Sequence, residues 1–127
     1  MKTPHTAYLW AIFLVICCPP LMGQEATEQF IPIGKSPGLS GVTTVVGHIS
    51  SLSIENETIT VADSAGQTYS CTCTAKTRFW KDRSGQNQSN VAGKLSDCSK
   101  GRLVEIKFVD NDREKGKIDW IKIKISE

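Results

Sequence analysis

Apolar residues alternate with polar ones along most of this chain, at the period of β-strands. In residues 58–75, Ile59 and Val61 alternate with threonines, residues 63–67 supply turn chemistry, and Tyr69, Cys71 and Cys73 alternate with Ser70, Thr72 and Thr74. The pattern predicts a β-hairpin with one apolar face. A hairpin alone is marginal in water, so the other alternating segments are expected to close over that face.

Those segments are readily placed. A first strand is predicted over residues 42–54, broken in phase by Gly47 and with Ile49 inward, and Glu55-Asn56-Glu57 turns it into the hairpin. The second hairpin strand is expected to continue through Lys76, Thr77, Arg78 and Phe79, because Cys73, Ala75, Thr77 and Phe79 keep one face. Residues 81–90 read as a loop, and residues 91–98 have room for a short helical turn. A fourth strand opens at Gly101, with Val104, Ile106 and Phe108 on one face, and residues 110–116 form its turn. In the last strand, residues 117–126, Ile121, Ile123 and Ile125 share a face while Ile118 and Trp120 have the opposite phase, which predicts a bulge or twist near Trp120. Five strands with the longest gap between the third and fourth match an OB-like barrel, and a small SH3-like barrel or a sandwich is the next choice.

The N-terminal pattern differs. Lys2 precedes an apolar run over residues 7–18 and then Pro19-Pro20-Leu21-Met22-Gly23, the layout of a secretory signal peptide, with cleavage expected after Gly23. The run is too short to span a bilayer, which needs about 20 residues. Residues 24–41 hold Pro32, Pro37, Gly34, Gly38 and Gly41 and read as a flexible tether, with Phe30, Ile31 and Ile33 able to pin it to the barrel. The 127 residues thus divide into a signal peptide (1–23), a tether (24–41) and one β-barrel domain (42–127). Without residues 1–23 the chain carries 14 basic and 13 acidic residues, a balance that argues against a dedicated nucleic-acid binder.

Several short motifs carry a resemblance. Gly47-His48-Ile49 with Ser50-Ser51, Thr58-Ile59-Thr60-Val61, Gly66-Gln67-Thr68-Tyr69, Thr77, and the run from Leu95-Ser96-Asp97-Cys98 through Gly101-Arg102-Leu103-Val104-Glu105-Ile106 resemble a family of exported bacterial domains of unknown function. The resemblance covers about residues 45–125. It implies a small β-barrel and an exported location, and it transfers no catalytic residues. The chain departs from the family pattern at Cys71, Cys73 and Cys98, where aliphatic residues are usual.

Those cysteines are the first candidate chemistry. Cys71 and Cys73 share a strand face about 6.6 Å apart, poorly placed to bond to each other, whereas one of them could reach Cys98 across the core. Such a disulfide would close a loop of about 27 residues and stabilise the fold by roughly 3.5 kcal/mol. Three inert core thiols are the alternative. A thiol-based metal-binding or redox protein using Cys71, Cys73 and Cys98 is a further reading, weakened because His48, opposite Ile49 in phase, is expected to face solvent. Cys17 and Cys18 end the apolar run, so an envelope lipoprotein acylated at one of them is another reading, although Ile16 is larger than the residue such sites favour.

Lys76, Arg78, Trp80 and Lys81, with Arg83, form a basic and aromatic cluster expected to contact a small-molecule or protein ligand, or, with Phe79, to cap one barrel end. Asp110, Asp112 and Glu114 lack the spacing of a calcium loop and read as a turn. Asn56-Glu57-Thr58 and Asn87-Gln88-Ser89 fit the glycosylation pattern, which matters only in a eukaryotic source. With one histidine beyond the signal peptide, no nucleophile elbow and no phosphate loop, no enzyme, cofactor or metal is expected. The sequence therefore points to an exported, noncatalytic, monomeric binding or structural module of the periplasm or cell envelope. Its ligand is a protein or small molecule, with no nucleic acid and no membrane span.

Overall fold

The computed structural model describes residues 27–125, so the expected signal peptide, with Cys17 and Cys18, lies outside the described residues. The described chain is all-β. Its strands are β1 (Thr44–Ser53), β2 (Thr58–Asp63), β3 (Thr68–Thr72), β4 (Arg78–Asp82), β5 (Val91–Ala92), β6 (Leu103–Phe108) and β7 (Ile118–Lys124). They form one sheet in the order β3-β2-β1-β6-β7-β4-β5, antiparallel except for the parallel β4–β7 pair.

Five strands were expected and seven are present because the third is broken and β5 adds a two-residue edge to β4. The break corrects the continuous strand expected through residue 79. Thr77 Oγ1 accepts the Thr74 N–H (2.8 Å) and donates to the Ile118 carbonyl (2.6 Å), while the Thr77 N–H returns to the Thr74 carbonyl (3.1 Å). These local bonds compete with a strand ladder. They redirect the chain, so that β3 pairs with β2 while β4 crosses to pair with β7. A parallel bridge between Thr72 and Lys117 then closes the sheet on itself. With β3 and β4 counted as halves of one strand, the pairings run in the order of a five-stranded OB-like barrel.

The core follows the predicted alternation. Val45, Ile49, Ile59, Val61, Val104, Ile106, Phe108, Ile118, Ile121 and Ile123 form one buried cluster with Cys71, Cys73 and Cys98. Each such aliphatic side chain removed from water contributes about 1.5–3 kcal/mol. The bulge expected near Trp120 is present. Lys107 pairs with Trp120 and Phe108 with Ile118, so Asp119 is an extra residue and Ile118 and Ile121 both reach the core. The phase break at Gly47 is a close approach, since a Cβ there would lie 2.3 Å from the Ala62 carbonyl oxygen. The short helical turn expected in residues 91–98 is a 3-10 turn at Leu95–Asp97.

The main departure is N-terminal. Residues 27–43, most of the stretch read as a flexible tether, form a helical turn and successive tight turns laid across the outside of β1, β6, β7 and β4. Of the three apolar residues expected to pin this strap, Ile33 is buried, while Phe30 stays largely exposed. The strap is held by polar groups instead.

Candidate binding site beneath the N-terminal strap

Alternation sends Thr44 of β1, Glu105 and Lys107 of β6, Trp120 and Lys122 of β7, and Arg78, Trp80 and Asp82 of β4 to the outer face. Outward residues of a barrel normally meet water. Here Glu105 and Lys122 are fully buried, and Thr44, Asp82, Trp80 and Trp120 nearly so, because the strap covers them.

A continuous polar seam results. Lys122 Nζ pairs with Glu28 of the strap at 2.6 Å, lies 4.0 Å from Glu105 Oε1 and donates to Ser36 Oγ at 3.2 Å. Glu28 also accepts a hydrogen bond from the Ser36 hydroxyl. Glu105 accepts from the Gly34 N–H (3.0 Å) and from the hydroxyls of Ser40 and Thr44 (2.7 Å each). Farther along, the Ile33 N–H donates to Asp82 Oδ2 at 2.9 Å and Asn90 Nδ2 donates to the Gln29 carbonyl at 3.0 Å. Burial pushes the Asp82 carboxyl up, but hydrogen bonds from Ile33 and Ser84, aided by the Lys124 charge, outweigh it and hold Asp82 below the usual carboxylate range.

Beside the seam stands an aromatic ladder. The Trp80 and Trp120 rings stack at 5.2 Å, Arg78 sits over Trp80 at 5.6 Å, and Lys122 Nζ lies 4.8 Å from the Trp120 ring. Arg78 is further fixed by a 2.8 Å ion pair with Asp119, the bulged residue. Where strap and barrel diverge, a groove of about 610 Å³ opens, with Trp120, Pro37 and Leu39 as apolar lining and Arg78, Lys107, Asp119 and Glu28 as charged lining.

The basic and aromatic cluster singled out in the sequence is therefore dispersed. Arg78 lines the groove and Trp80 supports it from beneath, whereas Lys76 is exposed in the turn between β3 and β4 and Lys81 packs near Gly93. Arg83 bonds the Ser89 carbonyl. Trp120, Asp119 and Lys107 complete the site and escaped the sequence reading. Trp120's odd phase was the available signal, since a tryptophan forced outward by a bulge needs a cover.

No protein-family profile matches the chain, and no curated protein is similar to it. Among solved structures, the crystal structure of Ag(I)CusF is similar at 17% identity, over 63% of this chain and 93% of that one, with a TM-score of 0.41. A likeness that low carries no argument about function. The small all-β barrel rests on the strand pairings themselves. No helix among the described residues is long and apolar enough to cross a membrane.

The disulfide expected between Cys98 and a strand cysteine is not formed, and Cys71, Cys73 and Cys98 are free and buried. Burial is the main influence on all three thiols. It pushes Cys71 up to about 12, with Cys73 adding to the rise, and Cys73 up to about 11, with Glu57 adding. Cys98 also rises to about 12, through burial and then Cys73 and Asp97, opposed by Arg102. Metal binding needs thiolates, which this environment disfavours. Among the described residues, no group of three or more His, Cys, Asp or Glu side chains is placed to hold a metal ion. His48 is exposed on the outer face, as its phase predicted.

Proposed function

We propose that this chain is an exported, noncatalytic binding module whose ligand site is the groove between the strap and β7. The observation that carries the reading is the groove's construction: a tryptophan face with Pro37 and Leu39, flanked by charges already held in place at Arg78 and Asp119. Ligand pockets commonly combine an apolar lining with a few fixed polar groups. A small amphipathic molecule, or a short segment of a partner protein with one apolar and one charged group, suits such a surface. Prepositioned charges lower the entropy lost on binding.

Trp80 and Trp120 are the two tryptophans beyond residues 1–23, so their indole resonances and fluorescence report on the site with little background. A fragment library and extract fractions from the native compartment are screened by both signals. Binders are expected to move the Trp120 indole N–H, and Leu39→Ala and Arg78→Gln are expected to weaken them while leaving the unfolding midpoint near wild type. Binders that move resonances elsewhere and ignore both substitutions would overturn the assignment.

A further inference from the structure

A second concavity, of about 570 Å³, lies on another part of the surface. It is lined by His48 of β1, by Ser99, Lys100, Gly101 and Arg102 leading into β6, and by Leu103 and Lys124. Its lining contains three cations and a histidine and no carboxylate, although the whole chain has 13 acidic against 15 basic residues. Asp82 is influenced by Lys124, but its two oxygens are taken by the Ile33 and Ser84 N–H groups. A near-neutral protein has thus gathered positive charge at one concave place.

The arrangement of Arg102 adds an independent observation. Its Nη1 donates to the Lys124 carbonyl at 3.0 Å, which fixes the guanidinium to the last strand. Its Nε, shielded from solvent, has no acceptor among the described residues. Buried donors nearly always find acceptors, and an arginine fork suits a tetrahedral oxyanion. The neighbouring Gly101 and Arg102 N–H donors are already used, on the Ile49 and Ser99 carbonyls, so Arg102 Nε is the unmet donor there.

We infer that this groove is a binding site for a multiply charged oxyanion, with Arg102 as the recognition element and Lys100 and Lys124 as charge-supplying arms. The chemistry read is a phosphate or sulfate group. Three cations around one concavity suit a ligand that carries at least two such groups, free or on a sugar. On binding, in this reading, the Arg102 side chain turns so that Nε, buried and unmet in the unbound protein, meets the anion. This site is separate from the strap groove and shares no lining residue with it.

The test is heteronuclear NMR of the isotope-labelled protein in low-salt buffer, following the Arg102 Nε–H and the His48 ring. Inorganic pyrophosphate and a disulfated disaccharide are titrated separately. Saturable movement of the Arg102 Nε–H with pyrophosphate alone identifies a free phosphate ligand, and movement with the disaccharide alone identifies a sugar-borne sulfate. Movement with both shows that the oxyanion itself is read. Lys100→Gln and Lys124→Gln should each weaken binding about tenfold, as loss of a hydrogen bond to a charged group implies. An Arg102 Nε–H unmoved by either probe overturns the inference, as does affinity unchanged in Lys100→Gln, an exposed substitution that leaves folding intact.

Discussion

Replacing Lys122 with methionine tests whether the strap is held by charge rather than by apolar contact. The ammonium is fully buried, with Glu28 at 2.6 Å, Glu105 at 4.0 Å and the Trp120 ring at 4.8 Å. Methionine keeps the stem volume and removes the cation alone. Removing one partner of a buried pair strands the other and costs about 3–5 kcal/mol. Here the lower end applies, for two reasons. Glu105 retains three donors, Gly34, Ser40 and Thr44, and Glu28 lies near enough to solvent to turn outward. A loss of about 3 kcal/mol corresponds to a drop of roughly 12–24 °C in Tm for a domain of this size. Urea unfolding gives the free energy, and limited proteolysis within residues 27–43 shows whether the strap lifts before the barrel melts. Adding Glu28→Gln and Glu105→Gln to Lys122→Met should recover at least half the loss, since the stranded charges are then gone. If Lys122→Met lies within about 0.5 kcal/mol of wild type, the seam does not hold the strap and the reasoning fails.

Two further outcomes follow from the closure and the core. Gly116 has φ +65°, accepts the Thr72 N–H at its carbonyl oxygen (2.7 Å), and has no room for a Cβ, which would sit 2.3 Å from the Ser70 oxygen. Gly116→Ala should therefore cost about 2–4 kcal/mol in urea unfolding, whereas Gly66→Ala, with φ +85° but open space around it, should cost only about 1 kcal/mol; equal losses would show that the closure is not tight there. The three thiols have folded-state values above the ordinary 9, so the unfolded chain releases their protons first as pH rises. Stability should be flat below about pH 8 and fall from about pH 9 towards 12, by at most about 1.4 kcal/mol per pH unit per thiol. Native alkylation at pH 8 should be slow and denatured alkylation should count three thiols beyond residues 1–23, so rapid native labelling would refute their burial.

Much of the barrel was legible because burial on one face imposes period 2. Val104, Ile106 and Phe108, the Cys71 and Cys73 positions, and the bulge at Asp119 all came from that pattern. The break in the third strand did not, because Thr74 and Thr77 have strand-favouring side chains and their hydroxyls form a turn only in the folded geometry. The seam was illegible for another reason. Glu105 and Lys122 occupy polar-phase positions that look the same whether water or a strap lies above them. Their partners Gly34 and Glu28 stand 71 and 94 residues away, in a stretch whose prolines and glycines suggested a tether. Alternation reports which face a residue takes and is silent on what covers that face.

The distance in sequence between Glu28 and Lys122 also orders events as the protein forms. Glu28 is made early and Lys122 lies in the final strand, 94 residues later, so the strap cannot dock until β7 is in place. Contacts of such separation slow folding, since the loop they close must be ordered first. The barrel can therefore assemble with its charged outer face still wet, and the strap expels that water last. A chain crossing a membrane with its N-terminus leading would keep these ends apart throughout passage. Docking of the strap would then mark completion of the whole domain, and loss of the strap alone would leave Glu105 and Lys122 of the barrel facing water without Glu28.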